Sequence, residues 1–475
     1  MTLTATWVRT WLSRPDVTVL VDAAGGSTLD GAGIEVATRA LAGRLAACGV
    51  RPGDRVLLSR DPSIGTVLAY VAILRLGAVV VPANTAYTAR ELAHIVGDVR
   101  PVLALVDDRS RIAGVPAYDD LDALPAPADA VPDAAHAEDL AMVAYTSGTT
   151  GAPKGAMLSH GNLLAGAQAL VQAWGWTAQD RLVHTLPLFH MHGLGAGING
   201  SFTAGASVVL TRFDPAGVVG AAAAYDATMY FGVPTMYAKL AEAGRLDGLR
   251  GLRLLVSGSA PLDPLLFERI AAEAGQPPVE RYGMTETVML TSNALDDRVP
   301  GCVGRPLPGV QVRLGEGGAV EVNGPNVFRG YWERPDATAV AFTDDGFFRT
   351  GDIGTLDGDG RLRLVGRASE LIITGGYNVY PREVEDVLRE HASVADVAVV
   401  GIPDPTWGET VAAFVVPSDG YDAEALAAHA EAGLAAYKRP RAWRAVDELP
   451  RNAMGKVQRD VLRALVITDL PPDAS

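Results

Sequence analysis

The run LAMVAYTSGTTGAPKG, residues 140–155, decides the fold of this chain. Its first six residues are apolar or aromatic and predict a buried strand. The TSGTTGAPKG that follows supplies three glycines, four hydroxyls and a lysine. Glycines let the backbone approach an anion closely, hydroxyls donate hydrogen bonds to its oxygens, and a lysine adds a mobile positive charge. A strand that ends in such a loop predicts a polyphosphate site. The order Pro-Lys-Gly differs from the Gly-Lys-Ser/Thr of a Walker loop.

The sequence on both sides of this loop predicts an α/β fold. Helix-like periodicity over residues 34–50 alternates with short apolar runs at residues 55–58 and 78–81. Such alternation is typical of βαβ units and a parallel sheet. After Gly304 the pattern changes to short alternating strands, and a block of its own follows Arg367. We therefore expect a large layered N-terminal domain with parallel sheets and a small β-structure, residues 1–367, and a smaller α+β C-terminal domain, residues 368–475.

Composition excludes several classes of function. The 475 residues carry 40 Lys and Arg against 55 Asp and Glu, a net charge of −15 that repels a nucleic-acid backbone. Two cysteines cannot form a disulfide framework. The most apolar stretch near the N-terminus, residues 67–83, is interrupted by Arg75 and is too short for a membrane span. We expect a cytoplasmic protein with no nucleic-acid or membrane partner.

Further motifs follow the loop in order. They are PLFHMHG (187–193), SGSAPL (257–262), RYGMTET (281–287), RTGD (349–352), GRASELIITGG (366–376) and PRNAMGK (450–456). Together with TSGTTGAPKG, this set resembles the adenylate-forming superfamily of acyl-CoA synthetases, luciferases and peptide-synthetase adenylation domains, over nearly the whole chain. The resemblance implies that ATP, Mg²⁺ and coenzyme A are used to activate a carboxylate as an acyl-adenylate and to transfer it to a thiol.

The resemblance also implies a nucleotide site. Tyr282 would stack on the adenine, Asp352 would accept hydrogen bonds from the ribose hydroxyls, and Arg367 would contact the ribose or a phosphate. The predicted nucleotide-binding residues are Thr146, Ser147, Gly148, Thr149, Thr150, Gly151, Lys154, Ser259, Ala260, Pro261, Glu280, Tyr282, Gly283, Met284, Thr285, Asp352 and Arg367.

The catalytic residues implied by the resemblance are Lys456, Glu286, Thr146, Lys154 and His190. Glu286 would hold Mg²⁺ between phosphate oxygens, since a carboxylate plus substrate phosphates is a usual Mg²⁺ environment. Lys456 would bridge the carboxylate and the α-phosphate, for which a point charge on a long stem is suited.

The second half-reaction implies a mobile C-terminal domain. The thiol needs the place that Lys456 occupies, and the family resolves this by rotating the small domain, which presents Gly375 and Gly376 to the pantetheine arm of coenzyme A. The hinge position, normally Asp or Lys, is Ser369 here. No carrier protein is expected, because no carrier-like serine segment follows Lys456.

One residue indicates which acid is activated. Arg281 in ERYGMTET resembles the malonyl-CoA synthetases, and a bidentate guanidinium would stabilise the second carboxylate of malonate. His192 and Ser259 are further candidate donors. Room for one methyl group would admit 2-methylmalonate. The competing interpretation is that Arg281 pairs with Glu280 or another acid, although neighbours on a strand point to opposite faces.

Two further patterns, a histidine pair and a GxGxxG match, have simpler interpretations than a metal site or a dinucleotide fold. His190 and His192 alone are too few ligands for zinc. GAGING, residues 195–200, satisfies GxGxxG but is followed by no acidic residue about 20 positions on, so close helix packing is expected. Two other functions stay open: a coenzyme A ligase for short or medium monocarboxylic acids, and a non-catalytic nucleotide-binding sensor.

Overall fold

The computed structural model of the protein describes residues 1–129, 132–146, 153–452 and 455–467. The predicted phosphate contacts Ser147, Gly148, Thr149, Thr150 and Gly151 lie outside the described residues.

The strands alternate with helices along most of the chain. The strands are Thr18–Asp22 (β1), Thr28–Asp30 (β2), Arg55–Ser59 (β3), Val79–Pro82 (β4), Leu103–Val106 (β5), Ala117–Tyr118 (β6), Leu140–Thr146 (β7), Lys154–Ser159 (β8), Arg181–His184 (β9), Ser207–Leu210 (β10), Met229–Gly232 (β11), Leu254–Ser257 (β12), Val279–Tyr282 (β13), Thr291–Ser292 (β14), Arg305–Pro306 (β15), Gln311–Leu314 (β16), Ala319–Asn323 (β17), Phe348–Leu356 (β18), Leu362–Arg367 (β19), Ile372–Thr374 (β20), Tyr377–Val379 (β21), Val394–Asp404 (β22), Gly408–Pro417 (β23) and Ala442–Ala445 (β24). The α-helices are Leu3–Ser13 (α1), Gly31–Ala47 (α2), Ile64–Arg75 (α3), Ala89–Val99 (α4), His160–Ala173 (α5), Asn199–Ala204 (α6), Pro215–Ala224 (α7), Pro234–Glu242 (α8), Pro264–Ala274 (α9), Pro335–Ala341 (α10), Pro381–Arg389 (α11), Ala423–Gly433 (α12) and Arg459–Ile467 (α13).

Two sheets form the body of the N-terminal part. One has the order β6-β5-β3-β4-β7-β8 and is parallel up to β7, with β8 antiparallel to it. The other has the order β15-β14-β13-β12-β11-β9-β10-β1-β2 and is parallel from β13 to β1. Strands such as β4, β5 and β12 are buried along their whole length, as expected for parallel strands covered on both faces. The predicted α/β class with layered parallel sheets is confirmed.

The chain divides into two compact units. The first comprises residues 1–313, 321–348 and 357–362, and the second comprises residues 314–320, 349–356 and 363–475. The functional division at residue 367 stays a prediction. Short strands follow Gly304 where alternation predicts them, at β16, β17 and β19.

The second unit is built around the long hairpin of β22 and β23. Residues of β22 alternate between two faces: Val397 and Val399 pack toward Leu388 of α11 and Leu426 of α12, while Val400 packs on the other face with residues of α13. The period of two thus buries both sides of this sheet. In the parts of the chain that the structure describes, none of the helices is both long and apolar enough to cross a membrane.

Candidate active site

The predicted site residues of the first unit lie where neighbouring parallel strands end. β12 and β13 are paired with Ser257 opposite Glu280, so SGSAPL and RYGMTET leave the sheet side by side. β9 and β11 run parallel to them in the same sheet. Ligands in such sheets bind at the carboxyl ends of the strands. Each apolar strand here is followed directly by the polar residues of a motif, so these residues lie at that edge.

Arg281 is the most unusual residue at this edge. Its side chain is buried, with 6% of the residue exposed, and its Nε and Nη2 atoms have no hydrogen-bond partner among the described residues. Burial lowers the pKa of the guanidinium to about 9, which still leaves it charged at neutral pH. A buried, charged donor without an acceptor is costly in a folded protein and points to an anionic ligand.

The predicted competitor for Arg281 is directed elsewhere. Glu280 is buried, and its Oε1 accepts a hydrogen bond from the backbone N–H of Gly301 at 2.8 Å. Within the described ranges, no carboxylate forms an ion pair with Arg281. The contact of Glu280 with the nucleotide stays a prediction.

His192 and Ser259 lie beside Arg281. The Nδ1 atom of His192 is 3.2 Å from the Ser259 hydroxyl, and its Nε2 atom has no partner in the described part of the chain. Burial, and then the charge of Arg281, hold the pKa of His192 well below its usual value, so the imidazole is neutral. Ser259 reaches the imidazole from a left-handed backbone conformation, with φ of 72°. If the hydroxyl donates to Nδ1, then Nε2 carries the proton and is a second unused donor.

The glycine-rich segment after His192 packs closely, as its sequence predicts. Residues His192–Ile198 form a π-helical segment that leads into α6. A Cβ at Gly197 would lie 2.4 Å from His184, so only glycine fits there. His190 precedes the segment, is half-buried, and its ring centroid is 4.4 Å from that of Phe189.

A second group of predicted residues meets at Tyr331. Thr146 and Lys154 are paired across β7 and β8. The ammonium of Lys154 lies 5.3 Å from the centre of the Tyr331 ring, and the Tyr331 hydroxyl donates to Oε1 of buried Glu286 at 3.0 Å. The fold therefore brings Thr146, Lys154 and Glu286 together. The sequence did not predict Tyr331 as a member of this group. Its only sequence signal is an aromatic residue in RGYWERP.

The remaining nucleotide residues of this unit lie on the two strand ends. Tyr282 is the last residue of β13, and its carbonyl accepts from Leu290 N–H at 2.9 Å. Gly283 and Met284 follow, and a turn begins at Thr285; a Cβ at Gly283 would lie 2.6 Å from the backbone oxygen of Val288. After β12, Ala260 is half-buried and Pro261 is exposed.

The other predicted residues belong to the second unit. Arg367 forms an ion pair with Asp352, whose Oδ1 is 2.8 Å from its Nε, and also donates to the Thr350 carbonyl at 3.1 Å. Gly375 and Gly376 form the turn between β20 and β21, with φ of 56° and 82°. Lys456 is exposed, and its backbone N–H donates to Asn452 Oδ1 at 3.1 Å.

The chain is similar to known enzymes in sequence and in fold. Residues 8–332 match the family model of AMP-binding enzymes, and residues 383–456 match that of the AMP-binding enzyme C-terminal domain. A feruloyl-CoA synthase from an Amycolatopsis species is 37% identical over 92% of this chain and 94% of its own length. The mitochondrial malonate–CoA ligase of Mus musculus is 40% identical over 68% of this chain and 64% of its own. The crystal structure of ATP-bound MatB from Rhodopseudomonas palustris has a TM-score of 0.92 at 38% identity, covering 98% of this chain and 99% of that one.

Fold, strand-end motifs and relatives define the class as an ATP-dependent acyl-CoA ligase. These enzymes use ATP and coenzyme A to convert a carboxylic acid into a thioester. The chain belongs to the AMP-binding enzyme family, whose two models together match most of its length.

Proposed function

We propose that the protein ligates malonate to coenzyme A through malonyl-adenylate, with release of AMP and pyrophosphate. The observation that carries this proposal is the buried guanidinium of Arg281, whose Nε and Nη2 atoms lack an acceptor among the described residues. Malonate keeps a second carboxylate when the first is activated, and that carboxylate can accept both hydrogen bonds in a bidentate pair.

The same charge provides selectivity against monocarboxylic acids. Butyrate would place a methyl group where the guanidinium needs an acceptor, and would leave Arg281 buried and unpaired. Sites built to bind a polar group reject analogues that lack it by about 10⁴ in favourable cases. The unpartnered Nε2 of His192 adds a third donor if the Ser259 hydroxyl fixes the tautomer.

In the first half-reaction, a carboxylate oxygen of malonate attacks the α-phosphorus, the bond to the β-phosphate breaks, and pyrophosphate leaves. Both reactants are anionic, so catalysis consists of alignment and charge neutralisation. Lys154 and Thr146 would contact the phosphates, and Lys456 would bridge the reacting groups. Glu286, with its buried carboxylate, suits a hard cation and would hold Mg²⁺, which neutralises phosphate charge. Asp352 and Arg367 would then bind the ribose.

In the second half-reaction, the thiol of coenzyme A gives its proton to solvent and its sulfur attacks the acyl carbon; the bond between that carbon and the phosphate oxygen breaks, and AMP leaves with the bonding electrons. Gly375 and Gly376 are proposed to line the path of the pantetheine arm, since a turn without side chains leaves room for it. Rotation of residues 368–475 about the Ser369 position is proposed to exchange Lys456 for this turn.

A ligase for monocarboxylic acids is the second candidate, because a feruloyl-CoA synthase is as similar to this chain as the malonate–CoA ligase is. An aromatic acid offers no second carboxylate, so Arg281 argues against it. 2-Methylmalonate remains a proposed further substrate.

Arg281→Ala tests the proposal. CoA-dependent AMP formation would be measured with malonate and butyrate for the wild type, this variant and Arg212→Ala, whose side chain is 87% exposed. We expect Arg281→Ala to lose malonate activity and the preference over butyrate, and Arg212→Ala to keep both. An unchanged preference in Arg281→Ala would refute malonate as the substrate, while acid-dependent AMP formation would still exclude a sensor.

A further inference from the structure

Gly258 lies directly against the guanidinium of Arg281. It follows the last residue of β12, and the pairing of Ser257 with Glu280 sets it beside Arg281 on the neighbouring strand. The sheet therefore fixes the backbone position of residue 258, and a side chain at this position would point toward the guanidinium.

No space exists there for a side chain. A Cβ built on Gly258 would lie 2.4 Å from Nε, 2.5 Å from Cζ and 2.9 Å from Nη2 of Arg281, and these are its three nearest heavy atoms. Nonbonded atoms normally keep about 3.5 Å or more. The backbone itself does not require glycine, because Gly258 is not among the residues with a left-handed φ. The three nearest atoms that a side chain would meet all belong to the guanidinium.

We propose that Gly258 is a specificity-determining residue that positions the Arg281 guanidinium for the second carboxylate of the substrate. The proposal rests on the proposed function, since it concerns the same carboxylate. Because glycine has no Cβ, the guanidinium can lie directly against the end of β12, with Nε and Nη2 left for a ligand. The next residue, Ser259, then turns back to reach His192.

An alanine at this position moves the guanidinium without removing its charge. Relieving the 2.4 Å approach to an ordinary contact requires a shift of about 1 Å. A misplacement of this size can lower a rate about 10²-fold. We therefore expect Gly258→Ala to lower kcat/KM for malonate by about 10²-fold. Butyrate makes no bond to the guanidinium, so its kcat/KM should change by less than about threefold.

The test compares the wild type, Gly258→Ala, Arg281→Ala and the double variant by CoA-dependent AMP formation with malonate and butyrate. If Gly258 acts through Arg281, the alanine has no further effect once the guanidinium is absent, so the double variant should match Arg281→Ala. Gly220→Ala is the matched control, because a Cβ there has no heavy atom within 4 Å.

The outcomes separate the two proposals. A wild-type malonate-to-butyrate ratio in Gly258→Ala, with the ratio lost in Arg281→Ala, overturns the positioning role and leaves malonate as the substrate. An unchanged ratio in Arg281→Ala removes the proposed function itself. Thermal melting keeps the test decisive if Gly258→Ala does not fold. In that case the double variant should have the melting temperature of Arg281→Ala, because the clashing guanidinium is absent. A lower melting temperature of the double variant would show that the clash lies elsewhere and would overturn the inference.

Discussion

Removal of the Tyr331 hydroxyl tests how the site holds Glu286, the carboxylate proposed to bind Mg²⁺. Tyr331→Phe deletes one hydrogen bond, from the hydroxyl to Glu286 Oε1 at 3.0 Å, and keeps the ring beneath Lys154. Glu286 keeps its backbone position, because the Phe328 N–H donates to the Glu286 carbonyl at 2.7 Å. The change therefore loosens the orientation of the carboxylate.

The size of the effect follows from the type of bond. A hydrogen bond to a charged group contributes about 1.5–3 kcal/mol, and about 1.4 kcal/mol corresponds to a factor of ten. Because the Glu286 backbone stays in place, we expect a loss near the lower end of this free-energy range. The Mg²⁺ concentration for half-maximal exchange should rise about tenfold in Tyr331→Phe.

Two measurements check this expectation. Malonate-dependent exchange of pyrophosphate into ATP, with Mg²⁺ varied at saturating ATP, gives the activity. Calorimetric titration with ATP at the same Mg²⁺ concentrations gives binding without turnover. Tyr70→Phe is the control, because its hydroxyl is buried and donates to a different acceptor, Asn199 Oδ1 at 2.9 Å. A wild-type Mg²⁺ dependence in Tyr331→Phe, or an equal shift in Tyr70→Phe, would refute the reasoning.

The remaining predictions concern Lys456 and the buried histidines. Lys456→Ala should lose adenylate formation by more than about 10²-fold yet convert preformed malonyl-adenylate to the thioester, because Lys456 is proposed to bridge the reacting groups in the first half-reaction and to be replaced by the Gly375–Gly376 turn in the second; equal loss of both half-reactions would contradict the assignment. Burial lowers the pKa of His160 and His184 from 6.5 to about 4, so the unfolded chain binds protons that the folded chain excludes. The melting temperature should therefore fall as the pH is lowered from 6.5 to 5. In this range each of the two histidines lowers the free energy of unfolding by up to about 1.4 kcal/mol per pH unit. A flat melting temperature over this range, followed by circular dichroism, would show that these imidazoles are protonated in the folded protein.

Much of the framework was predictable because it is local. The periodicity of residues 34–50 predicts the helix found as Gly31–Ala47, and apolar runs predict Arg55–Ser59 and Val79–Pro82 within a residue or so. Such features depend on neighbours in the chain, so they can be read from spacing.

What could not be predicted depends on register between distant segments. Nothing in the spacing of SGSAPL and RYGMTET states that Ser257 pairs with Glu280, and a shift of one residue would turn Arg281 to the opposite face. Tyr331 reaches Glu286 from a segment that follows 45 residues later. Hydrogen bonds of this kind become visible only when the sheet fixes where each strand ends.

The proposed selectivity of the site is a property of the sheet edge more than of one residue. A guanidinium is flexible, and alone it could fold back to find an acceptor on the protein. Here β12 and β13 hold its base, Gly258 removes the side chain that would push it away, and Glu280 is engaged by Gly301. Among the described residues, Nε and Nη2 of Arg281 have no acceptor, so a ligand anion can pair with this charge. If the proposed function holds, an acid without a second anionic group loses affinity by leaving that charge unpaired, and not by a steric clash, so removing side-chain volume around Arg281 should not restore its affinity.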